Sequence, residues 1–138
     1  MPMRRRRRGR RGEGGYPRRI VRFIEPALLL LLRRSPMHGY GLVEGLRSLG
    51  LEDYPVDLSA VYRMLRGLEE EGMVESTWDL EVTAGPPRRV YTITPRGRAY
   101  LAALVEELRA TDRLLHVFLD ACEAELAKEA DQSSDHKE

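Results

Sequence analysis

Ser59, Arg63 and Arg66 recur at steps of four and three, and Arg88 and Arg89 follow them just after Gly85-Pro86-Pro87. On a helix the first three would share one stripe, offering a hydroxyl and guanidinium groups to whatever lies outside. A guanidinium donates in pairs to base edges or to phosphate oxygens, and cations on a stiff protrusion are already placed when a phosphate arrives. The chemistry on offer is recognition of a nucleic acid, not bond making. The plain alternative is a solvated helix face in which Arg66 and Glu70 pair across one turn.

The elements that must position these residues are legible around them. Leu58, Val61, Tyr62, Leu65 and Leu68 form one buried helical stripe, with Asp57 suited to the N-cap, Gly72 to the C-terminal stop and small Ala60 to close approach. Beyond Gly72 the period changes from helical to alternating. Val74, Ser76 and Trp78 share one strand face, and Met73, Glu75 and Thr77 share the other. Thr83 to Pro87 is turn chemistry, and a second strand from Arg88 to Thr94 places Tyr91 and Ile93 opposite Val90 and Thr92. A two-stranded hairpin is marginal in water and must lie against the neighbouring helices. Helix followed by basic-tipped hairpin predicts a winged helix. Base contact is assigned to Ser59, Ala60 and Arg63, and phosphate contact to Arg66, Arg88 and Arg89 with Tyr40 or Tyr62.

The 138 residues, 42% of them hydrophobic, suffice for one modest core. A net charge of +1 conceals an asymmetry: residues 1–24 hold ten arginines against Glu13, leaving a net −8 on the remainder. Arg4, Arg5, Arg6, Arg7, Arg8, Arg10 and Arg11, interspersed with glycine, predict a disordered arm over 1–17 that tethers the protein to phosphates without reading sequence. The lone Cys122 excludes an intramolecular disulfide and fits a reducing cytoplasm, and its plainest role is that of a small hydrophobe. The longest apolar run, Ala27 to Leu32, is too short to span a bilayer, and the N-terminus lacks the apolar core of a signal peptide. A cytoplasmic protein without membrane contact is expected.

Around the recognition helix and wing, the sequence predicts further helices. Arg18 to Arg34 has Ile20, Ile24, Ala27, Leu28 and Leu31 inward, with Pro26 marking its N1 position or a kink. The all-round apolar Leu28 to Leu32 suggests that Leu28 and Leu31 meet a partner subunit. Gly39 to Leu49 forms the next helix, closed by Gly50, with His38 and Tyr40 at its start facing a phosphate; Tyr40 in the core is the equal alternative. The last helix starts from Thr94 as N-cap and Pro95 at N1, and spans 95–127. Leu101, Leu104, Leu108, Thr111, Leu115, Phe118 and Cys122 trace a heptad seam along it, a dimerisation signal. Residues 128–138 are polar and are expected to fray. The fold class is mostly α with a small β-hairpin wing: a winged helix-turn-helix over 18–94 with a long C-terminal dimerisation helix.

The chain also resembles the PadR family of transcriptional regulators. The resemblance runs from about Arg22 to Leu119 through Met37-His38-Gly39-Tyr40-Gly41-Leu42, Ala60-Val61-Tyr62-Arg63-Met64-Leu65, Leu68-Glu69-Glu70-Glu71-Gly72-Met73-Val74, Ser76-Thr77-Trp78 and Gly85-Pro86-Pro87-Arg88-Arg89-Val90-Tyr91-Thr92-Ile93-Thr94-Pro95-Arg96-Gly97. Gly41 departs from the acidic residue common there in the family. The resemblance implies a homodimeric repressor on double-stranded DNA, released by a small hydrophobic or aromatic effector, with no cofactor. Against it stand a non-specific DNA-coating protein dominated by the arm and a metal-sensing winged helix using His116, Asp120 and Glu123. No nucleophile–base pair or phosphate-cradling glycine loop points to an enzyme.

Overall fold

The computed structural model describes residues 18–80 and 87–135. Its elements run α1 (Arg18–Arg34), β1 (Met37–His38), α2 (Gly39–Arg47), α3 (Leu58–Glu70), β2 (Val74–Asp79), β3 (Arg88–Ile93) and α4 (Pro95–Asp135). Two compact units divide between Ala102 and Ala103.

In the first unit, α1 supplies the centre of the core. Ile24, Leu28, Leu29, Leu31 and Leu32 are buried, and Leu31 lies so close to Gly45 of α2 that a Cβ there would meet its methyl groups at 2.8 Å. Helix α2 and the sheet both contact α1, so the chain covers its own apolar run. Leu28 and Leu31 are therefore core residues, and the expectation that they dimerise is corrected. Pro26 lies inside α1 rather than at its N1 position. Buried Ile24, Ala27 and Leu28 on either side hold the helix through the hydrogen bond that proline cannot make.

Helix α2 ends two residues earlier than the sequence suggested: Ser48 caps it, its hydroxyl donating to Gly45 O at 2.7 Å. Gly50 then turns the chain with φ +92°. Helix α3 starts where Asp57 Oδ1 accepts from Ala60 N at 2.8 Å. It stops in a Schellman arrangement, Met73 N donating to Leu68 O and Gly72 N to Glu69 O, with Gly72 at φ +78°. Val61, Leu65 and Leu68 point into the core.

The sheet has three strands in the order β1-β3-β2, all antiparallel. Strand β1, unforeseen in the sequence, pairs Met37 with Tyr91 and His38 with Val90. It relieves the marginality of a two-stranded hairpin by adding a ladder on the far side of β3. The β2–β3 register sets Val74 against Ile93, Ser76 against Tyr91 and Trp78 against Arg89, so the predicted faces match across the strands.

Thr94 ties the wing to α4. Its Oγ1 accepts from Gly97 N at 3.0 Å and faces the carbonyls of Gly72 at 2.6 Å and Met73 at 3.0 Å. A Cβ at Gly97 would overlap the Met73 carbonyl oxygen, so only glycine allows this approach. Leu101 is 7% exposed and completes this core, a correction to its assignment as a dimer contact.

The second unit is helical through Asp135, where residues 128–138 were expected to fray. Ala127, Lys128, Glu129 and Ala130 are good helix formers, and Lys128 Nζ pairs with Glu125 Oε1 at 3.5 Å. No described helix is long and apolar enough to cross a membrane.

Candidate nucleic-acid interface

Capped by Asp57 and stopped by Gly72, α3 presents an outer stripe of Ser59, Arg63 and Arg66, all exposed. Ala60 is not part of it. At 2% exposure it lies on the side of Met64 and Leu68, one and two turns onward, and its assignment to base contact is corrected.

Tyr62 fills a structural gap instead of facing outward. Its ring tilts at 47° against Tyr91, centroids 6.4 Å apart, and its hydroxyl lies where a Cβ on Gly39 would meet it at 2.8 Å. Tyr62, half-buried, thus spaces the start of α2 from α3 and β3. Tyr40, by contrast, is 66% exposed in the first turn of α2, so of its two readings the core one falls.

On the wing, Arg88 is exposed at the start of β3. Arg89 is held: its guanidinium stands 5.0 Å from the Trp78 ring centroid, and Nη1 lies 3.9 Å from Glu69 Oε1. Glu69 Oε2 in turn accepts from Ser76 Oγ at 2.8 Å. Burial raises the Tyr91 phenol above its usual range, while the adjacent Arg89 pulls the other way.

His38 knots the other side of the sheet. Nδ1 lies 3.2 Å from the Arg89 carbonyl oxygen and Nε2 lies 3.6 Å from Asp79 Oδ2. This joins β1 to β2 across β3. His38, Asp79, Glu69 and Ser76 were all missed as wing-fixing residues. The alternation placed Ser76 and Trp78 on one face, but pairing them with Glu69 and Arg89 required the strand register, which alternation alone does not supply.

The remaining predicted residues fall into three groups. Arg4, Arg5, Arg6, Arg7, Arg8, Arg10 and Arg11 lie outside the described residues, as does the tip from Thr83 to Pro86. In the second unit Leu108, Leu115 and Phe118 are exposed, while Leu104 and Cys122 are half-buried. Leu114, Val117 and Leu119 widen this exposed apolar surface, with Leu114 and Val117 both at 68%. His116 Nε2 pairs with Asp120 Oδ2 at 3.6 Å on the same helix, both well exposed. Among the described residues no group of three His, Cys, Asp or Glu side chains converges to hold a metal ion.

Comparison with known proteins gives this geometry its relatives. A transcriptional regulator from Clostridium thermocellum is 26% identical and superposes with a TM-score of 0.64, over 72% of this chain and 95% of its own. A conserved protein of unknown function, described as a potential transcriptional factor, is 33% identical with a TM-score of 0.65, over 75% of this chain and 90% of its own. Bacillus subtilis PadR, solved in complex with operator DNA, shares the fold at 22% identity and a TM-score of 0.53, over 60% of this chain and 46% of its own. An uncharacterized protein of Lysinibacillus sphaericus is 23% identical over 100 residues, which make up 72% of this chain and 91% of that protein. The model of the transcriptional regulator PadR-like family matches residues 28–103, from the centre of α1 through the recognition helix and wing to the start of α4. The chain belongs to the PadR-like family, whose members are DNA-binding transcriptional regulators and not enzymes.

Proposed function

We propose that the protein is a homodimeric repressor that binds a pseudo-palindromic operator and is released by a small hydrophobic or aromatic effector. The observation that carries the DNA reading is the exposed Ser59–Arg63–Arg66 stripe of α3 beside a wing bearing Arg88 and Arg89. Arg63 and Ser59 read base edges in the major groove, while Arg66, Arg88, Arg89 and Tyr40 hold phosphates. That the related Bacillus subtilis PadR was captured on operator DNA supports this docking.

Dimerisation is supported by the second unit, whose helix carries Leu108, Leu114, Leu115, Val117, Phe118 and Leu119 exposed along a single chain. An apolar surface of this kind calls for a cover, and the heptad spacing of Leu108, Leu115, Phe118 and Cys122 suits a copy of the same helix. Two recognition helices related by a two-fold axis then read two half-sites. The arginine arm adds a phosphate tether that carries no base preference.

Sedimentation of the protein with a short duplex carrying the preferred site tests the assembly. Two chains per duplex is the expected result. One chain per duplex at saturation contradicts the homodimer.

A further inference from the structure

Glu69 is an acidic residue set among the cations proposed to meet DNA, at the C-terminal end of α3. Its two oxygens are both engaged, Oε2 by the Ser76 hydroxyl at 2.8 Å and Oε1 by Arg89 Nη1 at 3.9 Å. Arg89 is further steadied by Trp78, its cross-strand neighbour, whose ring centroid lies 5.0 Å away. The arginine side chain keeps 44% of its exposure and Glu69 keeps 35%, so an anion from solvent can reach the pair.

We propose that Glu69 is an internal stand-in for a DNA phosphate: it holds Arg89 in the free protein and yields it to the duplex, and so sets the wing's affinity for DNA of every sequence. The inference rests on the DNA-binding reading above. A half-exposed ion pair is weak enough for a phosphate to displace. Ser76 meanwhile keeps the carboxylate in place, so the incoming phosphate meets a like charge well within a Debye length. Trp78 holds the guanidinium over its ring, which limits how far Arg89 must move when it changes partner. Arg89 is thereby preorganised while its charge stays partly neutralised. The wing then adheres weakly to any duplex it meets, leaving discrimination to the base-reading face of α3.

Glu69→Gln removes the charge and keeps an amide oxygen for Ser76. Wild type, E69Q, R89A and the double variant are titrated with a labelled random-sequence duplex across about 50 to 200 mM salt, where phosphate contacts are most visible. E69Q is expected to bind about two- to fivefold more tightly and to steepen the log–log salt dependence by up to about 0.9. That gain disappears in the R89A background. An equal gain in R89A means that the lost charge acts at long range and overturns the latch. Unchanged or weaker binding by an E69Q protein that melts like wild type makes Glu69 a structural tie and also overturns it. Should E69Q melt lower, wild type and R89A decide instead through Trp78, the only tryptophan of the chain. Saturating duplex shifts its emission in wild type and not in R89A; no shift, or the same shift in both, overturns the latch. Failure of the wild-type protein to bind any duplex refutes the DNA-binding reading itself, and shows before variants are compared.

Discussion

Arg63 and Arg89 carry the same charge into different surroundings, and the surroundings assign them different work. Arg63 lies on the exposed stripe of α3, one turn beyond Ser59, the stripe proposed to meet base edges; Arg89 is fixed against Trp78 and Glu69 on the wing. Arg63→Ala is expected to relax preference at one position in each half-site, at about 1 to 3 kcal/mol of discrimination. Arg89→Ala should weaken all sequences alike and flatten the salt slope by less than about 0.9, since Glu69 already offsets part of its charge. Titrations against single-base variants of the preferred site separate the two, and equal losses at every base for both variants would remove Arg63 from base reading. The neighbours of these arginines were only partly legible. Ser59 and Arg63 follow from helical spacing alone, but Ala60 was misplaced because small size suggests close approach equally well in a core and at a DNA surface. Tyr62 likewise belongs to both stripes until Gly39 is known to lie against it.

At the scale of elements, the local signals were the reliable ones. As caps and stops, Asp57, Gly72, Thr94 and Pro95 each act on backbone groups within a few residues, so these roles could be read from sequence: α3 begins and ends where Asp57 and Gly72 dictate, and α4 begins where Thr94 and Pro95 do. Strand β1 could not be read, since two residues between Pro36 and Gly39 have no period and acquire meaning only when β3 lies alongside. Leu28 and Leu31 failed for the same reason in reverse: an apolar run shows that something covers it, not whether the cover comes from the same chain. Thr94 is the joint most exposed to test, because one hydroxyl serves the α4 cap and two carbonyls behind the wing. Thr94→Ala is predicted to destabilise the fold by about 1 to 2 kcal/mol, measured by denaturant titration. A loss near zero would mean that the backbone bond from Thr94 N to Met73 O suffices by itself.

At the scale of the whole molecule, the charge asymmetry and the apolar surface of α4 point to an assembly on DNA. Phe118 is 62% exposed in one chain and lies on the heptad seam. Phe118→Glu should weaken self-association by about a hundredfold to ten-thousandfold, the equivalent of one large apolar side chain left unburied in each of the two subunits. Sedimentation across a concentration series measures this, and an unchanged dimer would move the interface elsewhere. Selecting the purified protein against a random duplex library, and sequencing what it retains, shows whether the protein reads sequence as a two-fold assembly. Enrichment of one motif with two-fold symmetry is expected, its half-sites about one helical turn, roughly 34 Å, apart. Tight, salt-sensitive retention without any enriched motif would contradict it, leaving the arginine arm as the principal DNA contact and the winged helix as its scaffold.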